Sequence, residues 1–223
     1  MLTRDAPAAP PIDIAALRAR EFSRLTETGE AYLDYAGAAL YGSSQLREYQ
    51  ALLAAGVFGN PHSEHRPSRD STNAIEAARE RVLRLFNVTA ATHAVCFTAN
   101  CTAAIKLVAE SYPFSARCGL LLSADNHNSV NGVREYARRV GAPVSYLPIS
   151  ADLRLEDPID ALAHAARAGN GLLAFPAQSN FSGVRHPLTL VDDARAHGLH
   201  VLLDAAAYVA AAPLRDRDRT CRK

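Results

Sequence analysis

The sequence has 223 residues and a nearly neutral charge balance, with 24 lysine and arginine residues against 23 acidic ones. Hydrophobic residues make up 48% and charged residues 21%, which excludes a disordered chain and fits one large globular domain. The net charge of +1 gives no reason to expect nucleic acid or a membrane surface as a partner, and no run reaches the roughly 18 apolar residues of a membrane span. The four cysteines form no CxxC pair, so we expect reduced thiols and a cytoplasmic location.

Helices and short apolar strands alternate along most of the chain. The spacing of apolar residues predicts, in chain order, a helix over 12–25, a strand over 31–33, a helix over 44–55 and a turn at 59–63. Further helices are predicted over 71–86, 102–110, 129–140, 158–168 and 188–196, and strands over 94–97, 119–122, 144–147, 171–175 and 200–203. Strands that alternate with helices and are apolar throughout predict an α/β fold whose mostly parallel sheet is covered by helices on both faces.

Three segments are expected from these patterns. Residues 1–29 form a lead-in and a helix, residues 30–214 form the α/β domain, and residues 215–223 form an atypical tail. Half of the last ten residues are basic, so two interpretations of the tail stay open: a solvated terminus, or a change of coding frame near residue 214.

Functional residues of parallel sheets lie beyond the carboxyl ends of the strands, so the segment after each predicted strand is informative. After strand 94–97, small polar residues including Cys101 and Thr102 lead into the start of a helix. The free N–H groups at such a start favour an anion such as a phosphate. The alternative is that Thr98 or Thr102 only caps the helix.

Three further strand ends carry polar side chains. His127 follows strand 119–122 and can stack on a planar ligand or transfer a proton, although an ordinary surface histidine fits equally. The loop 176–183, which contains Asn180, is rich in amides and hydroxyls, and a simple turn is the alternative. Asp204 ends an apolar strand, where a carboxylate needs a partner: a cationic ligand, a helix N-terminus or an arginine. Together these positions suit a planar, phosphorylated, cationic heterocycle, as in pyridoxal phosphate.

Five motifs make the chain resemble a known family. They are residues 32–40 (YLDYAGAAL), 59–63 (GNPHS), 97–99 (FTA), 176–185 (PAQSNFSGVR) and 202–208 (LLDAAAY). With these motifs the chain resembles the fold-type I pyridoxal-phosphate enzymes of aminotransferase class V, close to the cysteine desulfurases and, among them, the desulfurase-like domain of the molybdenum cofactor sulfurases. The resemblance implies the large, cofactor-binding domain of that fold, cut short at its C-terminal side and without the small C-terminal domain.

The resemblance also implies roles for individual residues. The backbone of Cys101 and the hydroxyl of Thr102 would hold the phosphate, and His127 would stack on the pyridine ring. Asn180 would hydrogen-bond the phenolic oxygen and help to orient the substrate, and Asp204 would keep the ring nitrogen protonated. His127 and Asn180 are thus also the expected catalytic residues, and no metal is expected.

Several family residues have no counterpart in matching context. The only lysines are Lys106, which falls inside a predicted helix, and Lys223, which lies 19 residues after Asp204 where the family spacing is longer. The Schiff-base lysine, the cysteine that forms a persulfide and the arginine that binds the substrate carboxylate all belong to later parts of the family sequence. We therefore expect an N-terminal portion of a longer enzyme.

The implied function is mobilisation of sulfur from L-cysteine by a pyridoxal-phosphate enzyme. In a sulfurase the acceptor would be the molybdenum cofactor, and the resemblance suggests a homodimer. Two alternatives remain: another class V aminotransferase or lyase, and a non-catalytic remnant that holds the cofactor without a covalent link. A nicotinamide site is disfavoured because no GxGxxG follows the first strands, and the pair His62 and His65 is a weak indication of a metal.

Overall fold

The computed structural model describes residues 12–35, 37–167 and 170–214, and it divides into two compact units, residues 1–72 and 73–223. In chain order its elements are α1 (Ile14–Glu21), α2 (Ser23–Glu27), α3 (Ser43–Ala55), α4 (Arg66–Leu85), α5 (Cys101–Ser111), β1 (Gly119–Ser123), α6 (Asn128–Asn131), α7 (Val133–Arg139), β2 (Val144–Leu147), α8 (Pro158–Arg167), β3 (Asn170–Pro176), α9 (Leu190–Ala196), β4 (His200–Asp204) and α10 (Ala206–Val209). None of the helices in these ranges combines the length and apolar character of a membrane span.

The second unit contains a four-stranded parallel sheet in the order β2-β1-β3-β4. Its strands are the last four predicted from the sequence, and the predicted parallel α/β class is confirmed. Each crossover between them contains helix, as parallel neighbours require. Because β1, β3 and β4 are consecutive in the sheet, the loops after these three strands emerge side by side.

Apolar clusters cover both faces of the sheet. Leu120 and Leu122 of β1 pack with residues of α5, α6 and α7 on one face, whereas Leu121 packs with residues of α8 and α9 on the other. All three leucines are buried, because successive side chains of a strand point to opposite faces and both faces are covered here. This explains why the strands are apolar throughout.

Two predicted strands are absent. Residues 31–33 and 94–97 have no strand pairing in the described chain, and Phe97 keeps 54% of its surface exposed. A strand exists only where a neighbouring strand satisfies its backbone groups. Residues 94–96 instead line an open apolar cavity of about 380 Å³ together with Leu203 and Leu214. Among the described residues β4 is paired only on its β3 side, so it forms one edge of the sheet there.

The predicted helices differ from the observed ones mainly at their ends. The helix predicted over 12–25 is interrupted at Phe22, whose backbone leaves the helical region, and the one predicted over 129–140 is divided at Gly132 into α6 and α7. The helix predicted over 71–86 begins earlier, at Arg66. Residues 1–11 of the lead-in and the tail 215–223 lie outside the described residues. The predicted division into three segments therefore stays a prediction.

The first unit contains a buried carboxylate with an unusual protonation equilibrium. Glu21 accepts a hydrogen bond from the backbone N–H of Ser44 at 2.8 Å, near the start of α3, and contacts Arg20 at 2.9 Å. These bonds, the one from Ser44 first, lower the pKa of Glu21 from 4.5 to about 2. The lowered pKa means that Glu21 stabilises the fold above about pH 4.5 and that this contribution is lost as the pH falls towards 2.

We therefore expect the substitution Glu21→Gln to lower the unfolding temperature at neutral pH. The difference from the unaltered protein should shrink as the pH falls from about 5 towards 2, because acid removes the same charge in the unaltered protein. Thermal unfolding followed by circular dichroism across this range measures the effect, with the exposed position Glu27→Gln as control. A difference that stays constant down to pH 2 would contradict the assignment.

Candidate functional site

The ends of three adjacent strands carry the side chains that the sequence singled out. His127 follows β1, Asn180 follows β3, and Asp204 is the last residue of β4. The backbone N–H of Ala177 donates to the carbonyl of Asp204 at 2.8 Å and so continues the β3–β4 pairing to this edge. All three residues therefore lie at the carboxyl edge of the sheet, where α/β proteins bind ligands.

The start of α5 presents unpaired backbone donors. Asn100 is its N-cap, and the side-chain oxygen of Asn100 accepts from the N–H of Ala103 at 2.9 Å. The alternative of a threonine cap is wrong, because Asn100 occupies the N-cap position, Thr102 lies inside α5, and Thr98 donates to the carbonyl of Asn100. Within the described chain, the N–H groups of Cys101 and Thr102 have no acceptor, which leaves them available to an anion.

Ser129 connects the start of α5 to His127 by hydrogen bonds. Its hydroxyl lies 2.7 Å from the hydroxyl of Thr102 and 3.0 Å from Nδ1 of His127. The backbone N–H of Ser129 also donates to Nδ1 at 3.1 Å, so Nδ1 is an acceptor and the proton of the neutral ring lies on Nε2. The imidazole is thus held in one orientation at an exposed position. Sequence reasoning missed Ser129, because its part depends on a contact with Thr102, which lies 27 residues away in the chain.

Asp204 is half-buried rather than fully buried, and it combines two of the expected partners. Its Oδ1 accepts from the N–H of Ala206 at 3.0 Å, at the start of the short helix α10, and from the thiol of Cys101 at 3.9 Å. No arginine in the described ranges pairs with it, and its Oδ2 has no hydrogen-bond partner there. One carboxylate oxygen is therefore fixed by the fold while the other is free for a cationic group.

The thiol of Cys101 is held in its protonated form. Burial, and then the negative charge of Asp204, raise the pKa of the Cys101 thiol above its usual value. A thiol of this kind is a poor nucleophile at neutral pH. The role expected of Cys101, which is a backbone contact to the phosphate and not the acceptance of sulfur, stays a prediction.

This arrangement predicts how Cys101 reacts. Asp204→Asn removes the negative charge beside the thiol, so we expect iodoacetamide to alkylate Cys101 several-fold faster near neutral pH. Peptide mapping by mass spectrometry measures the rate at this cysteine. Asp152→Asn, at an exposed loop position, is the matched control. An unchanged rate in Asp204→Asn would show that the carboxylate does not influence the thiol.

Asn180 lies at the tip of a tight hairpin between β3 and α9. The hairpin is closed by a bridge between Gln178 and Arg185 and by a hydrogen bond from Ser179 N–H to the Val184 carbonyl at 2.9 Å. Gly183 has a φ of 73°, a left-handed conformation that glycine adopts without strain. The side chain of Asn180 is exposed and makes no hydrogen bond to the other four predicted site residues. The hairpin therefore presents this amide to solvent at the sheet edge.

The other candidate groups are the two lysines and the histidine pair. Lys106 pairs with Glu110 at 3.3 Å on the exposed side of α5, as expected for a surface residue, and Lys223 lies outside the described residues. No cluster of three metal-ligating side chains occurs in the described ranges, so His62 and His65 gain no third ligand there.

Comparisons with known proteins agree with the family motifs. The model of the aminotransferase class V family matches residues 31–220. Human molybdenum cofactor sulfurase is 40% identical over 225 residues, which cover 92% of this chain and 24% of that protein. The corresponding protein of Anopheles gambiae is 41% identical over 210 residues, covering 87% of this chain and 26% of that protein.

A solved structure extends the likeness to three dimensions. The cysteine desulfurase CsdA from Escherichia coli superimposes with a TM-score of 0.74 at 26% identity, over 93% of this chain and 52% of that one. The chain thus spans about a quarter of the length of the curated relatives it matches and about half of this desulfurase.

Proposed function

Because the chain belongs to the aminotransferase class V family, as its motifs predicted, we propose that it forms the cofactor-holding part of a pyridoxal-phosphate enzyme of the cysteine desulfurase type. The observation that supports this most directly is that two groups suited to oppositely charged parts of the cofactor lie together at one edge of the sheet. The unpaired N–H groups at the start of α5 suit a phosphate, and the free Oδ2 of Asp204 suits a protonated ring nitrogen. The thiol contact between Cys101 and Asp204 shows that the two groups are neighbours.

The residues of this edge fit pyridoxal phosphate by their chemistry. Cys101 and Thr102 would bind the phosphate through their N–H groups and the Thr102 hydroxyl, which Ser129 holds in place. The oriented ring of His127 would cover the pyridine face, and Asn180 would donate to the phenolic oxygen. Ala207 stands where many desulfurases carry a polar side chain, so the family implies one cofactor hydrogen bond fewer here.

Asp204 would have the largest electrostatic effect. Its carboxylate stabilises a proton on the ring nitrogen, and a protonated ring accepts electrons more readily. When bound, pyridoxal phosphate supplies the electron sink that allows bonds near the amino group of a substrate to break. The contribution of this chain is to bind the phosphate, orient the ring and keep that proton in place.

The substrate proposed is L-cysteine, by analogy with the desulfurases and sulfurases that the chain resembles. The reaction balances as L-cysteine plus an acceptor thiol giving L-alanine plus a persulfide: the Cβ–S bond breaks and an S–S bond forms. None of the cysteines here matches the family's acceptor position, and neither lysine matches the covalent cofactor link. The final acceptor proposed is the molybdenum cofactor, in a cytoplasmic homodimer.

The first test is binding of a cofactor analogue to the purified chain. The analogue 4-deoxypyridoxine 5′-phosphate has no aldehyde, so it reports the site without reacting with surface lysines. We expect saturable binding at one site per chain, and borohydride treatment with pyridoxal phosphate itself should give no stoichiometric adduct on Lys106. Absence of saturable binding would overturn the proposal.

Product analysis separates the proposed reaction from its alternatives. The chain is incubated with pyridoxal phosphate, L-cysteine and dithiothreitol, and amino acids, keto acids and sulfide are measured. Alanine and sulfide in equal amounts support the desulfurase reaction, whereas a keto acid supports another class V aminotransferase or lyase. Analogue binding without any product supports a chain that holds the cofactor but does not catalyse alone.

A further inference from the structure

A buried acid–base pair lies beside the proposed site without belonging to it. Nε2 of His186 is 2.8 Å from Oδ2 of Asp125, and the two side chains are only 1% and 15% exposed. The other carboxylate oxygen, Oδ1, accepts from the hydroxyl of Ser123 at 2.9 Å. Both oxygens of Asp125 are thus occupied, which is the arrangement a buried carboxylate needs.

The pair connects the two loops that carry His127 and Asn180. Asp125 lies two residues before His127, in the loop after β1. His186 closes the hairpin of Asn180, because its backbone N–H donates to the carbonyl of Ala177 at 3.1 Å. The side-chain contact between residues 125 and 186 therefore ties the base of one loop to the base of the other.

The neighbouring Asn126 strengthens the same connection. Its side-chain amide donates to the carbonyls of Ser123 and Ala174, each at 2.9 Å, and so bridges the ends of β1 and β3. These backbone bonds fix the strand ends, but they do not reach the hairpin. Among the hydrogen bonds of the described residues, the one between Asp125 and His186 extends the connection from this loop to the residue that ends the hairpin.

The electrostatics favour an ionised Asp125. Burial by itself raises the pKa of this carboxyl, but the hydrogen bonds from His186 and Ser123 outweigh it and hold the pKa below its usual value. Truncation of either partner would leave the other buried and unsatisfied, so the surrounding loop would rearrange to reach water.

We propose that Asp125 and His186 form a positioning pair that sets the distance between His127 and Asn180, and thereby the affinity of the site for the pyridine ring of its ligand. This inference rests on the proposed function. Within the described ranges, no hydrogen bond joins the pair directly to the start of α5. Because the main phosphate donors are backbone N–H groups of α5, loss of the pair should weaken binding of the ring far more than binding of the phosphate.

The test compares two ligands on variants of the full chain. In Asp125→Ala, we expect the dissociation constant for 4-deoxypyridoxine 5′-phosphate to rise at least tenfold and that for inorganic phosphate to change less than twofold. Asp125→Asn keeps an acceptor for His186, so it should retain ring affinity within about threefold. His186→Gln keeps a donor towards Asp125, so it should lose less affinity for the ring ligand than Asp125→Ala does. If Asp125→Ala does not fold, His186→Gln is the variant that tests the inference.

A matched control comes from the opposite end of the sheet. The hydroxyl of Tyr112 lies 2.9 Å from Nδ1 of His200, the first residue of β4. Tyr112→Phe removes this hydrogen bond in the same unit and should lower the unfolding temperature without changing either dissociation constant. It therefore separates general destabilisation from positioning.

Three results would overturn the inference. The first is an unchanged affinity of a folded Asp125→Ala variant for 4-deoxypyridoxine 5′-phosphate. If Asp125→Ala does not fold, the same result in His186→Gln has this meaning. The second is an equal loss of ring and phosphate affinity, which would indicate a general structural role. The third is an unaltered chain that binds phosphate but not the ring ligand, which would overturn the proposed function together with the inference.

Discussion

Asp204→Asn is expected to weaken the binding of 4-deoxypyridoxine 5′-phosphate by about 30-fold, which corresponds to about 2 kcal/mol. The magnitude is that of a hydrogen bond to a charged group in a half-buried setting, because the amide cannot balance the positive charge of a protonated ring nitrogen. Asparagine keeps the shape of the side chain and can still accept from the N–H of Ala206, so the fold at the end of β4 should persist.

Two measurements distinguish this effect from a general loss of binding. The absorbance of the bound analogue should show that the ring loses its proton at lower pH in Asp204→Asn than in the unaltered protein. Binding of inorganic phosphate should be similar in both, because the N–H groups of Cys101 and Thr102 are unchanged. Equal affinity of the two proteins for the analogue would mean that Oδ2 of Asp204 does not face the ring nitrogen.

The sequence was sufficient to predict the sheet because its strands are continuous apolar segments. Strands such as β1 are buried on both faces, and this requirement leaves a pattern that can be found without knowing the neighbours. Segment 94–97 has a similar apolar composition but no pairing among the described residues. Its failure as a predicted strand shows that an apolar composition is not sufficient, because strand formation depends on a partner that local sequence does not specify.

The site was predictable in the same partial way. His127 and Asp204 stood out because polar residues directly after apolar strands mark the carboxyl edge of a parallel sheet. Ser129 and the Asp125–His186 pair gave no such signal. Residues 125 and 186 are 61 positions apart, and only the fold shows that a histidine in an ordinary-looking Arg-His-Pro sequence is buried against an aspartate.

The packing of this sheet can be tested by substituting alanine for two phenylalanines that lie six residues apart, one buried and one exposed. Phe175 on β3 is fully buried against Leu147, Leu173 and Leu190, whereas Phe181 in the Asn180 hairpin is 88% exposed. Phe175→Ala should lower the free energy of unfolding by about 3–5 kcal/mol, through lost apolar burial and the cavity that remains. Phe181→Ala should change it by less than about 0.5 kcal/mol.

Urea unfolding followed by circular dichroism measures both variants. A loss of 3–5 kcal/mol is a large part of the roughly 5–15 kcal/mol that stabilises an ordinary domain, so the urea midpoint of Phe175→Ala should lie well below that of the unaltered protein. The Asn180 hairpin begins just after β3, so loss of packing there should also weaken analogue binding, while Phe181→Ala should bind the analogue normally. Similar losses of stability in the two variants would contradict the observed burial of β3, because the same side chain would then be equally packed at both positions.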